Sequence, residues 1–281
     1  MVCSPCRITV CVPVFRPGTR LAETLRSIEV QTYRDFRVHV SIDGGDSESE
    51  SLCQEFLRDP RFHLILQPRR LGWVGNVNAL LSQVDTELFC IQPHDDVIHE
   101  TYLARLLEHL DRSPRAVSAF CDIRLLGERD GHEIRGLMCQ ASVQGERLER
   151  QRRLLEHYLW GIAWRGLTRA SALPEAGLMR GNRVGNYAAD VVWVAQLARA
   201  GELHRVPGEL YFKHHHGTTV SGVWGRWPMW KKMLAWLVHC GQVLAVALPV
   251  AKSPPERLTL IRAFVSRLLN VRHKFEGQWI E

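Results

Sequence analysis

Leu88-Phe89-Cys90-Ile91-Gln92-Pro93-His94-Asp95-Asp96-Val97-Ile98 is the stretch that decides the fold. Its apolar start reads as a buried strand, and two adjacent carboxylates stand at the strand's end. Leu103, Leu106, Leu107 and Leu110 follow at helical spacing. In open α/β sheets, ligands collect outside the carboxyl ends of the strands. Two carboxylates there suit a hard divalent cation, Mn²⁺ or Mg²⁺, that also holds phosphate oxygens. The plainer reading is an acidic helix start, with Asp95 or Asp96 as the cap. The neighbouring segments favour the first.

Working outward, Ile8 to Val14 reads as a strand, and Leu21, Leu25 and Ile28 then recur with helical periodicity. Phe36, Val38, Val40 and Ile42 alternate with other residues before the turn at Gly44-Gly45, and Ser47-Glu48-Ser49-Glu50 fits a capping box. Phe62 to Leu66 is a third strand, residues 73–84 a helix and residues 87–92 a fourth strand. Crossovers of this length predict a mixed, mostly parallel sheet flanked by helices. Pro13 suits a strand only near its end or on an edge, so it is expected to open a loop over the ligand site.

In this order and spacing, the segment from Ile8 to Val97 resembles the N-terminal half of the family 2 glycosyltransferases, which have the Rossmann-like GT-A fold. The resemblance rests on Val12-Pro13-Val14-Phe15-Arg16, on Ser27-Ile28-Glu29-Val30-Gln31-Thr32, and on the acidic turn Asp43-Gly44-Gly45-Asp46-Ser47. Leu71-Gly72-Trp73-Val74-Gly75-Asn76-Val77-Asn78 and the pair Asp95-Asp96 complete it. It implies a transferase that moves a sugar from a nucleoside-diphosphate sugar to a saccharide, lipid-linked or other hydroxyl acceptor, with inversion, in bacterial glycan or glycoconjugate synthesis. Pro13, Phe15, Asp43, Asn76 and Asp95 would line the donor, and Asp96 would hold the Mn²⁺ or Mg²⁺ ion.

Further along, Asn186-Tyr187-Ala188-Ala189-Asp190 precedes the apolar run Val191 to Ala198, which stops at Gly201. The resemblance makes Asp190 the general base. A carboxylate at a helix start also complements the helix dipole, and the two roles are compatible. Beyond it, Val206 to His216 reads as a short strand running into a polar loop. Trp160 to Arg169 resembles the family's acceptor-side segment, with Trp164 and Gly166 as the aromatic and small residue beside the sugar. Trp164 reads equally well as core packing.

Three positions depart from the family pattern: Gly44, Pro93 and Ala189 each replace an acidic residue. A histidine could complete the thinner metal set, and His214-His215-His216 is the source, His215 first. The same run reads also as uninvolved surface. These departures keep a non-catalytic GT-A module, binding a saccharide or a protein, as the alternative function.

A chain of 281 residues is ample for a proper core. The boundaries expected are a GT-A domain over 1–223, split into a nucleotide-sugar half at 1–97 and an acceptor half at 98–223, with a helical extension over 224–281. The eight cysteines, Cys3 and Cys6 included, lack the second pair that a zinc site needs and read as reduced cytosolic thiols. No signal peptide precedes the first strand, so the location expected is cytoplasmic, with peripheral contact at the inner face of the membrane as an open reading. The net charge of +6 is compatible with anionic sugar nucleotides or an anionic membrane surface; no motif supports nucleic acid. Residues 127–153 read as a solvated, charged loop or helix surface. Between Met233 and Ala251 there is no Asp, Glu, Lys or Arg, which leaves a packed helix, an interfacial helix beside Trp and Lys, or a span.

Overall fold

The computed structural model describes residues 6–129, 132–156, 161–215 and 220–269. The first half alternates strand and helix: β1 (Ile8–Val14), α1 (Arg20–Glu29), β2 (Phe36–Ile42), α2 (Ser47–Cys53), β3 (Phe62–Leu66), α3 (Gly72–Leu81) and β4 (Leu88–Ile91). These four strands pair in parallel in the order β3-β2-β1-β4. The apolar period explains the packing. Leu21, Leu25 and Ile28 put one face of α1 on the sheet, and β4 is buried at every position. The chain leaves β1 toward β2 on one side and returns at β4 on the other. This is the topological switch where such sheets bind ligands.

The second half closes the sheet: β5 (Val97–Ile98), α4 (Tyr102–Arg112), β6 (Ala116–Arg129), β7 (His132–Met138), α5 (Arg147–Glu156), β8 (Leu167–Arg169), α6 (Leu173–Ala176), α7 (Ala189–Ala200) and β9 (Glu202–His215). Strand β8 runs antiparallel between β4 and β6, and β9 runs parallel to β6 and antiparallel to β5. The result is the mixed sheet flanked by helices that the sequence implied.

Two local expectations are corrected. Residues 127–129 and 132–138 belong to the β6–β7 ribbon, not to a solvated loop or helix, because Gly127 to Arg129 pair with His132 to Ile134 across it. Asp130 and Gly131 lie outside the described residues. The helix after the acidic pair starts only at Tyr102, with β5 between, so neither Asp95 nor Asp96 caps it. Pro13 lies in the last two residues of β1. Its side of the strand faces past the end of β4, where the Pro13 carbonyl accepts from His94 Nδ1 at 3.0 Å, so no ladder donor is missed.

The C-terminal helices are α8 (Val220–Gly225), α9 (Met229–Ala247) and α10 (Pro254–Leu269). Val243, Val246 and Ala247 of α9 and Leu260 and Ala263 of α10 join the same apolar core as the sheet. A smaller cluster packs Ala235, Trp224 and Trp227 around Tyr187, Ala188 and Val191. Residues 270–281 of the expected extension lie outside the described residues.

Candidate active site

The acidic turn is held from beneath by α1. Thr24 Oγ1 is 2.9 Å from the carbonyls of both His94 and Asp96, and Gln92 Nε2 donates to the Asp96 carbonyl at 2.9 Å. Gln31 of the Ser27-to-Thr32 motif donates to the carbonyls of Ser27 and His99 and accepts from the Leu103 amide. The motif therefore fixes the turn and the start of α4 relative to α1.

Asp96 points inward, 1% exposed. Its Oδ2 accepts from the Tyr211 hydroxyl at 2.8 Å and from Arg165 Nε at 3.3 Å, and its Oδ1 accepts from the His214 amide at 3.0 Å. Burial and the charge of Asp95 raise its pKa. Burial works against the Arg165 charge, but Tyr211, Asp96 and Asp190 more than offset it, so the guanidinium stays protonated. The Tyr211 hydroxyl is pushed well up by burial and by Asp96, which keeps it a neutral donor. Lys213 shares this field: burial and Arg165 lower its pKa, while Asp96, Asp190 and Asp95 pull it back. Asp95 is only partly buried, and its carbonyl accepts from His214 Nδ1 at 3.1 Å.

Asp190 approaches from the other side. It is the second residue of α7, whose N-cap is Ala188, and its Oδ1 is buried with no hydrogen-bond partner among the described residues. Gly161 leaves room for the carboxylate. The backbone before it is strained: Asn186 and Ala188 have φ of 53° and 51°, a left-handed conformation uncommon for residues other than glycine. Such strain persists only where surrounding structure over-determines it, and it concentrates at functional sites. The surrounding structure here comes from two directions. Asn78 of α3 exchanges two 2.9 Å bonds with the Met179 backbone. Gln242 of α9 bonds Asn182 at 3.1 Å and the Gly181 carbonyl at 3.0 Å, and Tyr187 packs on Trp224 with ring centroids 5.0 Å apart.

Of the other residues expected in the site, Asp43 accepts from the amides of Leu71 at 2.5 Å and Gly72 at 2.9 Å, so it anchors the start of α3. Asn76 is buried and stitches α3 to Ser41 of β2, accepting from its hydroxyl and donating to its carbonyl. Gly44 has a φ of 85°, and a Cβ there would sit 2.9 Å from the Arg70 amide nitrogen, so an aspartate at this position meets both strain and a clash. Phe15 follows β1 into the crevice, with the Arg70 guanidinium 4.2 Å and that of Arg16 5.4 Å from its ring centroid. Trp164 is 7% exposed and meets Trp73 edge-on at 6.4 Å; neither indole N–H has a partner among the described residues. Gly166 backs onto β6, where a Cβ would lie 2.5 Å from the Ala119 carbonyl oxygen. His215 ends β9 opposite Gly127, and it is His214 whose ring reaches the acidic turn. His216 lies outside the described residues, as does Trp160.

The sequence reading passed over Thr24, Gly161, Arg165 and Lys213. Arg165 and Gly161 stood inside the quoted acceptor-side segment, and their partner across the fold, Asp96 or Asp190, is what reveals them. Among the described residues, no three or more His, Cys, Asp or Glu side chains are placed to cage a metal ion. Mg²⁺-type ions usually rest on one or two carboxylates plus waters and substrate phosphates. The residues present fit that mode, with the adjacent carboxylates of Asp95 and Asp96 as the protein's share; both oxygens of Asp96 also accept from protein donors.

The chain is similar to known proteins in both sequence and fold. Glycosyltransferase GlyG of Streptococcus pneumoniae serotype 4 is 27% identical over 104 residues, 37% of this chain and 35% of GlyG. GlyA of the same organism is 28% identical over 104 residues, 37% of this chain and 15% of GlyA. The match thus spans about a third of one curated relative and less of the other. The structure of S. aureus TarS 1-349 in complex with UDP-GlcNAc superposes with a TM-score of 0.72 at 14% identity, covering 96% of this chain and 73% of that one. The mannosyltransferase PcManGT from Pyrobaculum calidifontis, in complex with GDP-Man and Mn²⁺, gives 0.60 at 15% identity, covering 98% and 76%. At these identities the likeness is one of fold. The match to the sequence model of glycosyl transferase family 2 runs from residue 9 to residue 167, from β1 through the acidic turn into β8 and over more than half of the chain, and by that match the chain belongs to the family.

Proposed function

We propose that this protein is an inverting glycosyltransferase that moves a sugar from a nucleoside-diphosphate sugar to an acceptor hydroxyl in bacterial glycan synthesis. The observation that carries the reading is Asp190: a buried carboxylate oxygen without a protein partner, at a helix start held in strained backbone, acting with Asp96 on the same two cations, Arg165 and Lys213.

In this reading the donor lies across the carboxyl ends of β1 and β4. Phe15, backed by Arg70, offers a flat face to the base, and Asp43 keeps the start of α3 in place beneath it. As the glycosidic bond breaks, negative charge grows on the leaving diphosphate, and the positive field of Lys213 and Arg165 stabilises it. A divalent cation held at the Asp95-Asp96 pair would add Lewis-acid charge to the phosphoryl oxygens. Asp190 takes the acceptor proton, a contribution of roughly 10²–10⁴-fold. The acceptor in this reading is a saccharide, a lipid-linked saccharide or another hydroxyl-bearing group on the side of Asp190.

With Asp190 taking its proton, the acceptor oxygen attacks the anomeric carbon from the face opposite the diphosphate; the new glycosidic bond forms as the bond to the diphosphate breaks, which inverts the configuration. The test is to offer UDP- and GDP-sugars with Mn²⁺ to a panel of saccharide acceptors and read the product linkage by proton NMR. An α-linked donor should give a β-linked product. Retained configuration would overturn the role given to Asp190.

A further inference from the structure

Helix α9 has two faces of different character. Ala235, Trp236, His239, Cys240, Val243, Val246 and Ala247 are buried against the body of the protein. Met229, Trp230, Met233, Leu234 and Leu237 are exposed, Trp230 by 67% and Leu237 by 57%. Their spacing of i, i+1, i+4, i+5 and i+8 puts them on one stripe, which Gly241 and Ala245 continue without a charge. Helix α10 repeats the pattern: Leu258, Ile261, Val265 and Leu269 are exposed along one stripe, with exposed Arg257 and Arg262 beside them.

The surroundings of these stripes are basic. From residue 220 to residue 269 the chain has Arg226, Lys231, Lys232, Lys252, Arg257, Arg262 and Arg267 against a single acid, Glu256. The stretch Met229–Val250 is long and apolar enough to cross a membrane, yet 44% of its most apolar window is buried inside the protein, and its buried face packs into the same core as the sheet, which favours a helix lying on a surface. An exposed tryptophan and an uncharged apolar stripe within a basic frame suit the boundary between lipid headgroups and acyl chains. The same charge opposes a second copy of this chain, which would bring two basic surfaces together.

We propose that α9 and α10 dock this protein on the surface of an anionic lipid bilayer, with the stripe from Met229 to Leu237 entering the headgroup boundary and the surrounding Lys and Arg side chains meeting acidic headgroups. The opposite face of α9 holds the 181–188 segment through Gln242, and Trp224 and Trp227 pack on Tyr187, so the helix that meets lipid also supports the backbone leading to Asp190.

The test uses the full chain and phosphatidylcholine vesicles made with and without phosphatidylglycerol, read by co-sedimentation. The protein should sediment with the anionic vesicles about ten-fold more than with phosphatidylcholine alone, and raised salt should weaken the binding. The double variant Trp230→Gln/Leu237→Gln should lose about ten-fold in binding while melting as the wild type does. A second variant, Lys231→Gln/Lys232→Gln, leaves the stripe intact and should lose mainly the preference for acidic lipid. No sedimentation of the wild type with anionic vesicles would overturn the proposal. So would a wild-type dimer in light scattering that the stripe variant dissolves, because the stripe would then belong to a second copy.

Discussion

Gly161 and the Asp190 carboxylate are in such close approach that a Cβ on Gly161 would lie 2.5 Å from Asp190 Oδ2. The hydrogen of glycine is therefore what allows the carboxylate to sit where it does, with its other oxygen buried and unpartnered. A contact of this kind links one backbone position directly to the proposed proton acceptor.

Gly161→Ala should displace Asp190 and leave the donor crevice untouched, since Phe15, Asp43 and Asp95 belong to other elements. Misplacing a reacting group by about 1 Å can cost on the order of 10²-fold in rate. The expected outcome is a loss of that order in transfer with unchanged nucleotide affinity, measured by turnover and by calorimetry.

Arg165 and Asp96 form an ion pair whose side chains are 12% and 2% exposed. Removing one partner of a buried pair leaves an uncompensated charge and costs about 3–5 kcal/mol. Arg165→Met should destabilise the fold by that amount in denaturant unfolding. Adding Asp96→Asn should recover part of the loss, because the orphaned charge is then gone. Additive losses would mean that the two side chains act independently.

His39 of β2 supplies a pH dependence. Burial, then Arg37 and His63, lower its pKa to about 4 from an ordinary value of 6.5. The folded state therefore binds its proton later than the unfolded chain does. The contribution of neutral His39 is complete above pH 6.5 and is lost as the pH falls from 6.5 toward 4. Allowing for its partial exposure, about 1 kcal/mol should disappear by pH 5. His39→Leu should flatten that segment of the stability curve, and an equal fall in the variant would assign it to other groups.

The parallel half of the fold was legible because its signals are local. Phe36, Val38, Val40 and Ile42 alternate, and all four are buried in β2. Leu103, Leu106, Leu107 and Leu110 recur every three or four residues, and all are buried in α4. The β6–β7 ribbon was not legible, since Arg124 and Arg135 look like surface in sequence and become strand residues only through pairing across the sheet. The site divides in the same way. The Asp95-Asp96 pair stands out by its place after a strand, but the inward turn of Asp96 depends on Tyr211, Arg165 and His214, which lie 69 to 118 positions away. No local pattern reports that arrangement. The capping box expected at Ser47 shows the smaller scale of the same limit: Asp46 precedes the helix, and the Ser49 hydroxyl donates to its carboxylate at 2.5 Å.

The central claim is that Asp190 is the base of a transfer reaction, and one paired measurement on Asp190→Asn tests it most directly. The amide keeps the size and the polar oxygen of the side chain but accepts no proton usefully. Calorimetry with the nucleotide sugar and turnover with an acceptor are measured on the same preparations. Near-normal donor affinity is expected together with a fall in turnover of about 10²-fold or more. Turnover equal to that of the wild type would contradict it and place the base elsewhere.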